Sequence, residues 1–239
     1  MKRSDYRTEN SNPMIIALDG KSWEEILPLV ERLRPTGCIL KVNDLLFGQG
    51  IERLLPELST YGRVMADLKC HDIPKTVENT CKRLRICPPW AVTVHASGGA
   101  EMVKAAQKGL GHCETKILAI TVLTSIDQET CEEIYRRRPF GQVKHLAKIA
   151  LDAGADGFVC SPEEAPHLRK IFPEATIVTP GVRSAGKDTH DQRRVATPRE
   201  AIKYADHFVM GRQVLEASDP EAEVFRILGD ELKIDAFCL

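Results

Sequence analysis

The chain has 239 residues, 43% of them hydrophobic and 28% charged, with a formal net charge of −1. That is ample material for one large core, and the balanced charge argues against broad nucleic-acid or anionic-membrane binding. No apolar run approaches the roughly 20 residues that span a bilayer, and the opening "MKRSDYRTENSN" has no hydrophobic signal region behind it.

Residues 1–13 read as a polar extension, expected to be disordered, and residues 14–239 as the folded domain. The first strand is "MIIALD" (14–19), followed by a helix whose apolar face is Trp23, Ile26, Leu27, Val30 and Leu33. "CILKVN" (38–43), "RVMADLK" (63–69) and "WAVTVHA" (90–96) are the next three strands. "KILAITVL" (116–123) is the fifth, and a helical pattern over Leu146, Ile149, Ala150 and Ala153 separates it from "DGFVC" (156–160). "TIVTPG" (176–181) and "HFVMG" (207–211) complete the set. Pro74, Pro162, Pro198 and Pro220 each suit the first turn of a helix.

Eight strand–helix units with no linker point to an α/β chain folded as a (β/α)8 TIM barrel, a single domain. The competing open doubly wound sheet usually has a glycine-rich phosphate turn after its first strand, and "ALDGKSWEE" lacks it. The eight cysteines (Cys38, Cys70, Cys81, Cys87, Cys113, Cys131, Cys160 and Cys238) form no Cys-x-x-Cys pair. Structural zinc and a disulfide framework are therefore not expected, and a reducing cytoplasmic setting is.

In such a barrel the chemistry sits at the carboxyl ends of the strands. Asp19 ends the first strand, Lys41 lies near the end of the second, and Asp67 and Lys69 end the third. Residues two apart on a strand share a face, so Asp67 and Lys69 point the same way. Asp72 follows in the loop, close enough to join them or to face a neighbouring chain. Solvent-facing rim ion pairs are the plainer explanation and would contribute little to stability, but four such charges converge from three adjacent strands. An ammonium held by carboxylates keeps its proton, which suits a fixed cation and proton donor better than a Schiff-base lysine.

The far end of the chain is complementary. "TPGVRSAGKDTHDQRRVATP" (179–198) is a polar loop carrying Arg183, Gln192, Arg193 and Arg194, and strand 8 runs into Gly211 and Arg212. Loops after strands 7 and 8 are the usual phosphate grip of this fold. The two halves describe a barrel holding a phosphorylated substrate over an Asp–Lys–Asp array.

These motifs resemble the orotidine 5′-phosphate decarboxylase family, in its bacterial group. "DLKCHDIPKT" fits its D-x-K-x-x-D-I-P signature, and "TVHASGG", "TVLTS", "DGFVCSPEEA", "TPGVR…DQRRVATP" and "MGR" follow in the expected order. The resemblance implies cofactor-independent decarboxylation of orotidine 5′-monophosphate, with no metal, by a cytoplasmic homodimer. It implies that Asp19 and Lys41 bind the ribose, that Asp67 faces the substrate carboxylate, and that Lys69 protonates C6. It also implies that Asp72 comes from the other subunit, with Ile73 lining the base pocket and Thr76 near the ribose or phosphate. Thr124, with Ser125, would contact the pyrimidine, and Arg183, Gln192, Gly211 and Arg212 would hold the phosphate.

One departure is Asn43–Asp44 after the strand-2 lysine, where the family typically has glycine. Asn43 is expected to tolerate the turn by adopting positive φ, and Asp44 adds a negative charge nearby. His95, at the end of strand 4, either lines the pocket or is structural. The rivals are a magnesium-dependent 3-keto-L-gulonate 6-phosphate decarboxylase or hexulose 6-phosphate synthase relative, and a non-catalytic nucleotide-binding barrel. The Ile73–Pro74–Lys75 run disfavours the first, and the intact charge array disfavours the second.

Overall fold

The computed structural model describes residues 12–186 and 196–234. Its eight strands are β1 (Met14–Ala17), β2 (Ile39–Val42), β3 (Val64–Cys70), β4 (Ala91–His95), β5 (Lys116–Ile120), β6 (Gly157–Val159), β7 (Thr176–Thr179) and β8 (His207–Met210). They pair in parallel and in sequence order, and β8 closes on β1. The barrel expected from the sequence is borne out.

Period-two patterning builds two layers. Ile15, Ile39, Met65, Ala91, Leu118 and Val178 point inward and pack with Trp90, Val159 and Val209 into a plug. Their neighbours Ile16, Leu40, Ala66, Val92, Ala119, Phe158, Ile177 and Phe208 face outward and form the core under the helices. At Gly157 a side chain cannot fit, because a Cβ there would lie 1.9 Å from the Thr176 carbonyl oxygen. The interior is thus filled below the strand ends, and an open space lies at the top.

Helices cover the outside: α1 (Trp23–Leu33), α2 (Asp44–Gln49), α3 (Ile51–Ser59), α4 (Pro74–Arg83), α5 (Ala100–Leu110), α6 (Gln128–Tyr135), α7 (Pro139–Asp152), α8 (Ala165–Ile171), α9 (Pro198–Ala201), α10 (Arg212–Leu215) and α11 (Pro220–Arg226). A π-helical turn, Ile227–Leu232, continues α11. Ser22 and Glu25 form a reciprocal capping box that starts α1 on the face carrying Trp23, Ile26, Val30 and Leu33. Pro74, Pro198 and Pro220 open helices as expected. Pro162 does not. Glu164 turns its carboxylate back onto the Ser161 N–H at 2.9 Å, making a separate turn, and Pro166 takes the first turn of α8 instead.

Residues 1–11 of the expected polar extension lie outside the described residues. Asn12 is buried; it donates to the Thr36 carbonyl at 2.9 Å and accepts the Met14 N–H at 2.8 Å. Among the described residues no helix is long and apolar enough to cross a membrane.

Candidate active site

The carboxyl ends of the strands open on a cavity of about 620 Å³, within the range of small-molecule sites. The register that fills the plug also places the charges above it. Lys41 stands two residues beyond Ile39 on β2, and Asp67 two beyond Met65 on β3, so both point inward into the next layer. Asp19 lies two residues past Ala17 and lines the same cavity.

There the four charges alternate along a chain. Lys41 Nζ donates to Asp19 Oδ2 at 2.5 Å and to Asp67 Oδ2 at 3.1 Å. Lys69 Nζ donates to the same Asp67 oxygen at 2.6 Å. Burial alone would push the Asp67 carboxyl up, but the two ammonium groups and their hydrogen bonds outweigh it and hold its pKa below the usual value. Burial opposes the Lys41 charge as well, and Asp67 and Asp19 overcome it, so the Lys41 pKa is raised. The Asp67–Lys41 pair at the centre of the array thus favours its ionised state.

Lys69 is delivered by a local distortion. Its φ is 46°, in the left-handed region, and the β3–β4 register shifts between Ala66 and Cys70. Such a bulge re-aims a side chain, and a non-glycine residue holds this conformation only when its surroundings impose it. Here Thr93 on β4 imposes it: its hydroxyl accepts the Lys69 N–H at 2.8 Å and donates to Asp67 Oδ1 at 2.8 Å. The sequence reading missed Thr93. Its signal was positional, a hydroxyl at an inward position of a buried strand.

Asn43 and Asp44 brace the array from the junction of β2 with α2. Asn43 Nδ2 donates to the Asp67 carbonyl at 2.5 Å, and Asp44 Oδ2 accepts the Gly20 N–H at 2.9 Å, next to Asp19. The expected positive φ at Asn43 is absent; φ is −127°. The carboxylate of Asp44 is engaged with that backbone group, outside the ion-pair chain.

At the β7–β8 side, Arg183, Gly211 and Arg212 line the cavity, and so does Thr124 after β5. Arg183 Nε is buried without a hydrogen-bond partner among the described residues, a donor shielded from water and unspent. A Cβ at Gly211 would meet nothing nearer than the Ala17 carbonyl oxygen at 3.6 Å, so protein packing alone does not demand glycine there.

Several expected residues stand elsewhere. Within one chain Asp72 does not join the array; it is exposed, and its carboxylate accepts the Ile73 N–H at 2.6 Å. Ile73 is 67% exposed, and Thr76, in the first turn of α4, is exposed too. Ser125 is exposed and does not line the cavity. Gln192, Arg193 and Arg194 lie outside the described residues. His95 does not line the cavity either: it stacks on His71 with ring centroids 5.0 Å apart. Its pKa is lowered by burial, then by His71 and Lys69, against the pull of Asp67. Among the described residues no group of three or more His, Cys, Asp or Glu side chains is arranged to hold a metal ion.

Fold and site together define a (β/α)8-barrel enzyme with an alternating carboxylate–ammonium chain in the cavity at the carboxyl ends of its strands. Residues 12–227 match the model of the "Orotidine 5'-phosphate decarboxylase / HUMPS family", and the chain belongs to that family. It is 43% identical over 213 residues to the orotidine 5'-phosphate decarboxylase of Nitrosococcus oceani, covering 87% of this chain and 92% of the relative. It is 38% identical over 225 residues to that of Nitrosospira multiformis, covering 92% and 94%. The crystal structure of orotidine 5'-phosphate decarboxylase from Lactobacillus acidophilus superposes with a TM-score of 0.79 at 36% identity, over 91% of this chain and 97% of that one. The resemblance read from the D-x-K-x-x-D-I-P run is borne out.

Proposed function

We infer that the chain is a carboxy-lyase that converts orotidine 5′-monophosphate to uridine 5′-monophosphate, the last step of de novo pyrimidine nucleotide synthesis. The observation that carries the mechanism is the Asp19–Lys41–Asp67–Lys69 chain, in which one carboxylate oxygen receives both ammonium groups. In this reading the C6–carboxylate bond breaks, carbon dioxide leaves, and the electron pair remains on C6. Lys69 stabilises that developing charge and then transfers its proton to C6, regaining one from solvent. Charge already oriented around the substrate stabilises a carbanion better than water, which must first reorient. Asp67 holds Lys69 in place and faces the substrate carboxylate.

Asp19 and Lys41 bind the ribose, and Thr124 the pyrimidine. Arg183, Gly211 and Arg212, with Gln192, hold the phosphate; the unspent Arg183 Nε suits an anion there. Binding energy from the phosphate then helps align the base and exclude water, which raises turnover as well as affinity.

Asp72, Ile73 and Thr76 serve the neighbouring subunit's site in a two-fold dimer. Ile73, next to Asp72, is 67% exposed, and an apolar side chain so uncovered suits burial against a second copy. The seven described cysteines are free thiols, in keeping with residence in the cytoplasm.

The test is the loss of orotidine 5′-monophosphate absorbance on adding purified protein in the presence of EDTA. Full turnover is expected. Activity that appears only with added magnesium would move the chain to the sugar-phosphate relatives.

A further inference from the structure

The two residues that follow the phosphate arginines in sequence are bonded to each other. Ser184 follows Arg183, and Gln213 follows Arg212. The Ser184 N–H donates to Gln213 Oε1 at 3.0 Å, and Gln213 Nε2 donates to Ser184 Oγ at 2.6 Å. This pair joins the β7 loop to α10 directly behind the cavity wall.

A charged cluster from the end of the chain holds the pair. Gln213 Nε2 also donates to Glu223 Oε1 at 2.9 Å, and Ser184 Oγ donates to Glu231 Oε1 at 2.5 Å. Arg226 sits between the two carboxylates. Its Nε donates to Glu223 Oε2 at 2.8 Å, and its second fork nitrogen reaches Glu223 Oε1 at 2.9 Å, Glu231 Oε1 at 3.0 Å and Ser184 Oγ at 3.1 Å. Ser184 is 8% exposed. The far stem of the same loop is tied in as well, since Arg199 of α9 donates to the Glu231 carbonyl at 3.0 Å. The π-helical turn that carries Glu231 thus meets the loop after β7 on both sides. Such turns recur at functional sites.

A network confined to packing the C-terminus would have no reason to converge on the two positions adjacent to Arg183 and Arg212. We propose that Ser184 and Gln213, held by Arg226, Glu223 and Glu231, are positioning residues that set the spacing of Arg183 and Arg212 for the substrate phosphate. The proposal rests on the phosphate role given to those arginines above. None of the network residues need touch the substrate: their effect passes through the planar forks they orient, where small misplacements are costly.

The experiment is a double-mutant cycle of Gln213→Leu with Arg212→Ala, assayed on orotidine 5′-monophosphate and on orotidine, which lacks the phosphate. Gln213→Leu should lower kcat/KM on the nucleotide on the order of 10- to 100-fold, with under about a twofold change on the nucleoside. In the Arg212→Ala background the same substitution should cost much less, because its target is gone. Ser184→Ala removes the shared hydroxyl and serves as the second variant if Gln213→Leu does not fold. Equal losses on both substrates, or fully additive losses, would reduce the network to structural support and overturn the proposal. If Arg212→Ala itself proved indifferent to the phosphate, the phosphate reading would fall and take the proposal with it, a result the cycle distinguishes.

Discussion

The Thr93 hydroxyl donates to Asp67 Oδ1 at 2.8 Å and so leaves Asp67 Oδ2 to Lys41 and Lys69. It also accepts the Lys69 N–H, so one side chain orients the carboxylate and fixes the backbone of its partner. Thr93→Val keeps the shape and removes both bonds, and the one to the charged Asp67 is of a kind worth about 1.5–3 kcal/mol. Loss of one such bond in the transition state should lower kcat/KM roughly 10- to 150-fold, and Thr93→Ser should recover most of it. Steady-state kinetics beside thermal melts would check this; a fully active, fully stable Thr93→Val protein would remove the assignment.

The left-handed backbone at Lys69 separates stability from function at one residue. Lys69→Ala removes the proposed proton donor but keeps a Cβ at φ 46°, where side chains crowd the carbonyl at a cost of about 1–2 kcal/mol. Lys69→Gly relieves that strain. Both variants should lose decarboxylation and still bind uridine 5′-monophosphate. Against Lys69→Ala, the glycine variant should unfold at higher denaturant, by about 1 kcal/mol. Equal stabilities would mean the bulge relaxes when the lysine is gone.

The barrel and the charge array were legible for one reason: both are written in local alternation. Ile15, Ile39 and Met65 mark the inward face, and a charge two residues further along the same face, as at Lys41 and Asp67, stands out in an apolar strand. What the sequence withheld depends on contacts between strands. Threonine is an ordinary strand residue, so Thr93 carried no flag until its neighbour was Asp67. A lysine does not announce positive φ, and the asparagine expected to adopt it does not. The Ser184–Glu231 contact joins positions 47 residues apart, beyond any local pattern.

His207 gives a prediction about acid stability. It opens β8 at the barrel floor, edge-on to Trp90 at 4.8 Å, with Nδ1 shut off from solvent and unpartnered among the described residues. Burial pushes its pKa down from 6.5 to about 4; Arg63 and Lys116 act the same way, against Asp206 and the Pro13 backbone. The unfolded chain therefore takes up a proton near pH 6.5 that the folded chain refuses until about pH 4. Stability from this group is complete above the first value and lost as pH falls towards the second. Comparing urea unfolding at about pH 7 and about pH 4.5, the wild-type loss should exceed that of His207→Gln by about 2 kcal/mol. Parallel losses would show that the ring is hydrated.

The exposed position of Asp72 makes the proposed dimer testable by mixing two inactive chains. If Asp72 serves the neighbouring site, a two-fold dimer contains two composite sites, each drawing on both chains. Lys69→Ala and Asp72→Asn each disable every site of their own homodimer. In a mixed dimer the Asp72→Asn chain still supplies Lys69, and its partner supplies an intact Asp72 across the interface. One of that dimer's sites is complete, and the other carries both defects. Random pairing makes half the dimers mixed, so roughly a quarter of wild-type activity should reappear. If Asp72 instead swings into its own chain's cavity, every site keeps one defect and nothing is recovered. Subunit exchange is verified by pulling down one tagged variant and detecting the other. Proven mixed dimers without recovered turnover would return Asp72 to its own subunit.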